Sequence, residues 1–211
     1  MALTLLAALA AAAVAAEPAP TLPPDALRVP TVRQSTSYTC GAAALQAVLA
    51  YWGRYDGGES ALAKRLGSDP GEGTKVSAIL RVARESGLEA EAKEKMTVDD
   101  LRAAFRRGDT VIVNLQAWAD WEAETPPLRG EAWGARWEDG HYVVLVGVDE
   151  TNAFFMDPSV LPGLAWLPLS ELPHRWHDYE RDGRAVRRFE RLGIVLRGKT
   201  PANPPLLTRM D

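Results

Sequence analysis

The amino-acid sequence predicts an α+β domain, with helices first and an antiparallel sheet after them. Two observations carry this. Apolar residues recur at helical spacing between Gly41 and Arg107, and from Thr110 onward the pattern switches to short runs of β-branched and aromatic residues. The chain has 211 residues, 46% of them hydrophobic, so one domain with a proper core accounts for its length.

Residues 1–16, MALTLLAALAAAAVAA, carry no charged side chain and end in small residues. Such a run reads as a secretory signal peptide, since a spanning helix needs about 20 apolar residues. Export to the periplasm or the medium is the expectation, with a retained N-terminal anchor as the alternative and no other membrane-spanning segment. Residues 17–29 form a Pro- and Ala-rich lead-in, 30–197 the domain, and 198–211 an irregular tail.

Within the domain, Leu45, Val48, Leu49 and Trp52 mark a helix over 41–52 that stops at Gly53. A short helix is expected at Glu59–Leu66. Thr74 is placed to cap a third, whose face is Val76, Ile79, Leu80 and Ala83. A fourth spans Val98–Arg107, with Thr97 and Asp100 spaced as a capping box. Strands follow at Thr110–Gln116, Tyr142–Asp149, Ala153–Met156, Leu164–Leu167 and Leu192–Arg197, with a short helix at Ser170–Trp176. The Asp149–Asn152 turn makes the second and third strands a hairpin. The charged run from Tyr179 to Leu192 reads as a solvated turn and strand edge.

The net charge of −4 gives no basic field for nucleic acid. Cys40 is the single cysteine, so it forms no internal disulfide. It opens the first helix, where unpaired N–H groups and the dipole favour the nucleophilic thiolate, and small residues behind it, Gly41 first, leave room for a substrate backbone. Gln34, six residues upstream, is a neutral amide donor suited to an oxyanion. His141 follows Gly140 at the start of an apolar strand, where it can act as base and then acid. Asp157 ends the next strand of the hairpin, within reach of His141, and can fix the ring.

The segments VRQSTSYTCGAAALQAVLAYWG and GHYVVLVGVDETNAFFMDPS resemble the bacteriocin-processing, double-glycine cysteine peptidase family, and residues 73–118 resemble its middle section. The resemblance runs over about residues 30–196. It implies a papain-like fold with helices, including the Cys40 helix, packed on a C-terminal antiparallel sheet. It also implies Cys40 as nucleophile, His141 as base, Asp157 as orienting residue and Gln34 in the oxyanion hole. The family's best-known members are exporter domains that cut leader peptides after Gly-Gly; this chain has no room for the rest of an exporter, so the resemblance leaves its substrate open. Hydrolysis of a peptide or protein is the leading expectation, with acyl transfer and non-catalytic peptide binding as alternatives. No cofactor is expected.

Trp118, Trp121, Trp133 and Trp137 crowd the stretch before His141 and are candidates for a cleft wall; the alternative is a loop packed on itself. His174 and His177, with Asp178, have a zinc-compatible spacing but lack further ligands, so no metal site is expected.

Overall fold

A computed structural model describes residues 19–119 and 128–202. The proposed signal segment, Trp121 and most of the tail lie outside the described residues. Among the described residues no helix is long and apolar enough to cross a membrane.

Three helices come first: α1 (Cys40–Tyr51), α2 (Glu59–Leu66) and α3 (Val76–Glu85). A strand, β1 (Glu89–Lys93), precedes α4 (Val98–Arg106). Then follow β2 (Thr110–Gln116), β3 (Gly140–Val148), β4 (Asn152–Met156), β5 (Leu164–Pro168), the one-turn α5 (Leu172–Arg175), β6 (His177–Asp182), β7 (Ala185–Glu190) and β8 (Gly193–Arg197). Six strands form one antiparallel sheet in the order β1-β8-β2-β3-β4-β5, and β6 pairs with β7 apart from it. The architecture is α+β, with helices packed on an antiparallel sheet as expected.

Strand alternation decides what covers each face. Ile112, Tyr142, Val144, Val146, Phe154 and Met156 pack with α1, α2 and α3. Val111, Val113, Leu115, Val143, Leu145 and Phe155 pack instead with Leu101 and Ala104 of α4 and with Leu172 and Trp176. The sheet is therefore sandwiched, which explains why β2 is buried along its whole length. The capping box of α4 forms as its spacing predicts: the Asp100 N–H donates to Thr97 Oγ1 at 3.1 Å, and the Thr97 N–H donates to Asp100 Oδ2 at 2.8 Å.

Three expectations need correction. Thr74 does not cap α3: the cap position is Lys75, the Thr74 hydroxyl pairs with Ser68, and a distant carboxylate, Glu180 of β6, takes the Val76 N–H at 2.5 Å. The EAEAK run that forms β1 escaped notice because its residue types favour helix, and pairing with β8 overrides that preference. The charged run after Tyr179 is a full hairpin, β6–β7, turning at Gly183 with φ of 60°.

Candidate active site

Cys40 is the first residue of α1 and is 8% exposed at the wall of a cleft of about 240 Å³. The turn before it is closed by the Thr36 N–H donating to Thr39 Oγ1 at 3.2 Å. Starting a helix here leaves the first backbone N–H groups, that of Cys40 included, without intrahelical acceptors.

His141 is the second residue of β3 and Asp157 follows the last residue of β4. In the hairpin register Val144 faces Met156 and Leu145 faces Phe155. Continuing that register makes His141 and Asp157 diagonal neighbours on one face. His141 Nε2 lies 2.8 Å from Asp157 Oδ1, and both side chains are buried. The ring also hydrogen-bonds Cys40. With Nε2 taken by the carboxylate, Nδ1 is the atom left for the sulfur.

Burial alone pulls the His141 ring down, but hydrogen bonds to Asp157 and Cys40, with their charges, outweigh it and push it up to about 10. Burial raises Asp157, and His141, the Ser159 N–H and the Trp118 indole N–H outweigh that, holding the carboxyl below its usual range. The site thus favours a protonated ring held by an ionised Asp157.

Gln34 is stitched to the loop after Asp157. Its backbone N–H donates to the Pro158 carbonyl at 3.1 Å, and its Oε1 accepts from the Ser159 hydroxyl at 3.0 Å. Its Nε2 donates to Thr36 O at 2.8 Å, in the turn that leads into Cys40. A primary amide carries two N–H bonds, so the bond to Thr36 uses one of them.

Comparison with known proteins decides the family. The model of the Peptidase_C39 like family matches residues 26–182, most of the chain. The chain belongs to this family. The match begins a few residues inside the expected lead-in, where the Leu27 N–H already donates to Val146 O at 2.8 Å. An uncharacterized protein of Methanothermobacter marburgensis is 30% identical over 133 residues, covering 61% of this chain and 71% of that protein. Among solved structures, the peptidase domain of Streptococcus ComA, a bi-functional ABC transporter, superimposes with a TM-score of 0.55 at 17% identity, covering 81% of this chain and 99% of that one. A putative C39-like peptidase from Bacillus anthracis gives 0.55 at 14% identity, over 82% and 96% of the two chains. A double glycine motif protease from an AMS/PCAT transporter, solved with its leader peptide, gives 0.52 at 20% identity, over 81% and 92%. These likenesses are of fold.

The tryptophans of this C39-like domain divide by role. Trp118, 56% exposed and with φ of 59°, donates its indole N–H to Asp157 Oδ2 at 3.0 Å. Trp137 lines the Cys40 cleft, with its ring 4.5 Å from that of His177 and the Arg188 guanidinium 4.9 Å away. Trp133 is 5% exposed and lies against α5, with the Arg175 guanidinium 3.7 Å from its ring. Its place as a cleft wall is corrected accordingly. Gly41 is buried, and a methyl group there would press on Thr74 Cβ at 2.6 Å and Tyr142 at 3.0 Å. That close packing, rather than room for substrate, is what its missing side chain provides. Gly140 does line the cleft, and a methyl group on it would overlap both carboxylate oxygens of Asp178.

His174 lies in α5 and His177 opens β6, where its Nε2 sits 2.5 Å from the Arg136 carbonyl oxygen. Their common helical face therefore does not form. Sequence reasoning passed over Asn114, Asp178 and Glu180 as cleft residues, although a lone Asn in the apolar run TVIVNLQ is a signal of buried polar function.

Proposed function

We propose that this protein hydrolyses a peptide or amide bond through an acyl-thioenzyme at Cys40. The observation that carries the reading is one imidazole, held by Asp157 at 2.8 Å and hydrogen-bonded to the only thiol in the chain. The leader peptide bound to the double glycine motif protease supports a peptide substrate for a protein of this shape.

The Cys40 thiolate adds to the carbonyl carbon, forming a C–S bond. The oxyanion is met by the Cys40 backbone N–H and the spare Gln34 N–H. Collapse breaks the C–N bond, and the His141 imidazolium passes its proton to the leaving amine. Water then attacks the thioester while His141 takes its proton, and collapse breaks the C–S bond, releasing the acid and regenerating the thiolate–imidazolium pair. Asp157 stays ionised throughout and holds the ring's tautomer and direction.

Turnover of a mixed peptide library by the purified protein, with Cys40→Ala as control, tests this. Cleavage lost in Cys40→Ala is expected. Cleavage by neither protein, or equally by both, overturns the reading.

A further inference from the structure

The cleft beside Cys40 has a chemistry the hydrolytic machinery leaves unused. Its walls carry Glu72, Glu138, Asp178 and Glu180, against a single cation, Arg181. Among the described residues none of these four carboxylates is ion-paired; each is steadied by neutral donors. Glu180 accepts the Val76 N–H, Glu72 the Arg181 N–H at 3.1 Å, and Glu138 the Trp137 N–H at 3.1 Å. Asp178 takes the Gln116 amide at 3.4 Å and the side chain of Asn114.

Asn114 supplies the second, independent observation. It is 2% exposed, lines the same cleft, and its Oδ1 has no hydrogen-bond partner among the described residues. Its NH2 group is fixed toward the Asp178 carboxylate, which has only acceptors to offer. The same side chain also reaches the Tyr142 hydroxyl, and its buried carbonyl Oδ1 is the atom left without a hydrogen-bond partner among the described residues. A buried orphan acceptor is costly unless something donates to it. Four carboxylates against one guanidinium leave the cleft short of positive donors.

We propose that this cleft is a recognition pocket for an ammonium or guanidinium group of the substrate, gripped by the Asp178 carboxylate and the Asn114 carbonyl. The inference rests on the reading of Cys40 as the reactive thiol and names what its substrate carries. The carboxylates line the walls without converging: among the described residues no three acidic or other ligating side chains are grouped to hold a metal ion. Their complement is an extended organic cation with several N–H donors. Gly140 fits this role as well, because only a missing side chain lets the Asp178 carboxylate stand against the strand next to His141. Burial pushes Asp178 up to about 6, against the hydrogen bonds from Tyr179, Asn114 and Gln116, so its charge gains from an incoming cation.

A single cysteine makes the test unambiguous, because a thiol reagent reports one position. Cys40 is labelled with cationic aminoethyl and anionic sulfonatoethyl methanethiosulfonate at pH 7.5, in the parent, in the isosteric Asp178→Asn and in the rim variant Glu138→Gln. The cationic reagent is expected to react at least about tenfold faster than the anionic one, a difference of about 1.4 kcal/mol. Asp178→Asn should collapse most of that ratio and Glu138→Gln a smaller part. Equal rates in the parent, or a preference that survives Asp178→Asn, overturn the proposal. In the library, N-acetylated peptides bearing Lys or Arg are compared with neutral peptides having a free α-amine. Preference for either identifies the source of the cation, and its loss in Asp178→Asn should appear in KM rather than kcat. A charge preference in labelling without turnover would fault the peptidase reading and leave the pocket standing.

Discussion

The indole N–H of Trp118 and the Asp157 carboxylate are joined at 3.0 Å through Oδ2, while Oδ1 of the same group holds His141 at 2.8 Å. A partly exposed aromatic ring thus acts on Cys40 through two intermediaries. The bond steers one oxygen so that the other stays on the ring.

Trp118→Phe keeps the aromatic cover and removes only the donor. A hydrogen bond to a charged group is worth about 1.5–3 kcal/mol, less at a half-open position, so kcat/KM should fall about five-fold. The acid limb of the pH–rate profile should also move up, because Asp157 loses one of the contacts that hold it low. A fall in rate with an unmoved acid limb would mark the ring as mere packing.

Two other tryptophans should separate cleanly. Trp133→Leu uncovers Arg175, whose Nε donates to Glu171 at 2.6 Å, and is expected to lower Tm by several degrees with KM unchanged. Trp137→Ala opens the Cys40 cleft and should raise KM with little change in Tm. Thermal denaturation and steady-state kinetics on both variants check the division.

The His141–Asp157 pair also sets a pH window for stability. His141 is raised from 6.5 to about 10, so its contribution is complete below 6.5 and fades as pH climbs through the folded value. Asp157 is lowered from 3.8, so its contribution is present above 3.8 and lost as pH falls through its folded value. Tm should therefore decline on the alkaline side from neutrality toward pH 10, and Asp157→Asn should flatten that decline. Tm measured from pH 4 to 10 reads both.

Asp178 carries the opposite consequence for a carboxylate. Its pKa is raised from 3.8 to about 6, so its favourable contribution is complete below 3.8 and lost as pH rises through about 6. Asp178→Asn is expected to raise stability at pH 7.5 by about 1–2 kcal/mol and to leave it nearly unchanged at pH 4. Stability given up at neutral pH for a buried charge is what a binding residue displays.

Much of the scaffold was legible because local signals and tertiary structure agree there. The α4 capping box, the β2 run and the Asp149–Asn152 turn each form where their residues demand. His141 and Asp157 could be read as a pair because a hairpin makes its strand start and strand end neighbours, and the family resemblance joined Cys40 to them. Asn114, Asp178 and Glu180 could not, since strand alternation does not say which polar side chain reaches which cleft. β1 stayed hidden for a related reason: Glu89–Lys93 is a strand only because β8 offers its edge. The Trp cluster left two readings open, and burial divides it: Trp133 against α5, Trp118 and Trp137 at the site.

The central claim is that His141 activates Cys40, and alkylation by iodoacetamide tests it most directly. At pH 6.5 a free thiol, with a pKa of about 8.5, is almost wholly protonated and slow. The account predicts that Cys40 reacts at least about tenfold faster than free cysteine there, and that His141→Ala returns it to the free-thiol rate. Equal rates for the parent, His141→Ala and free cysteine would contradict it.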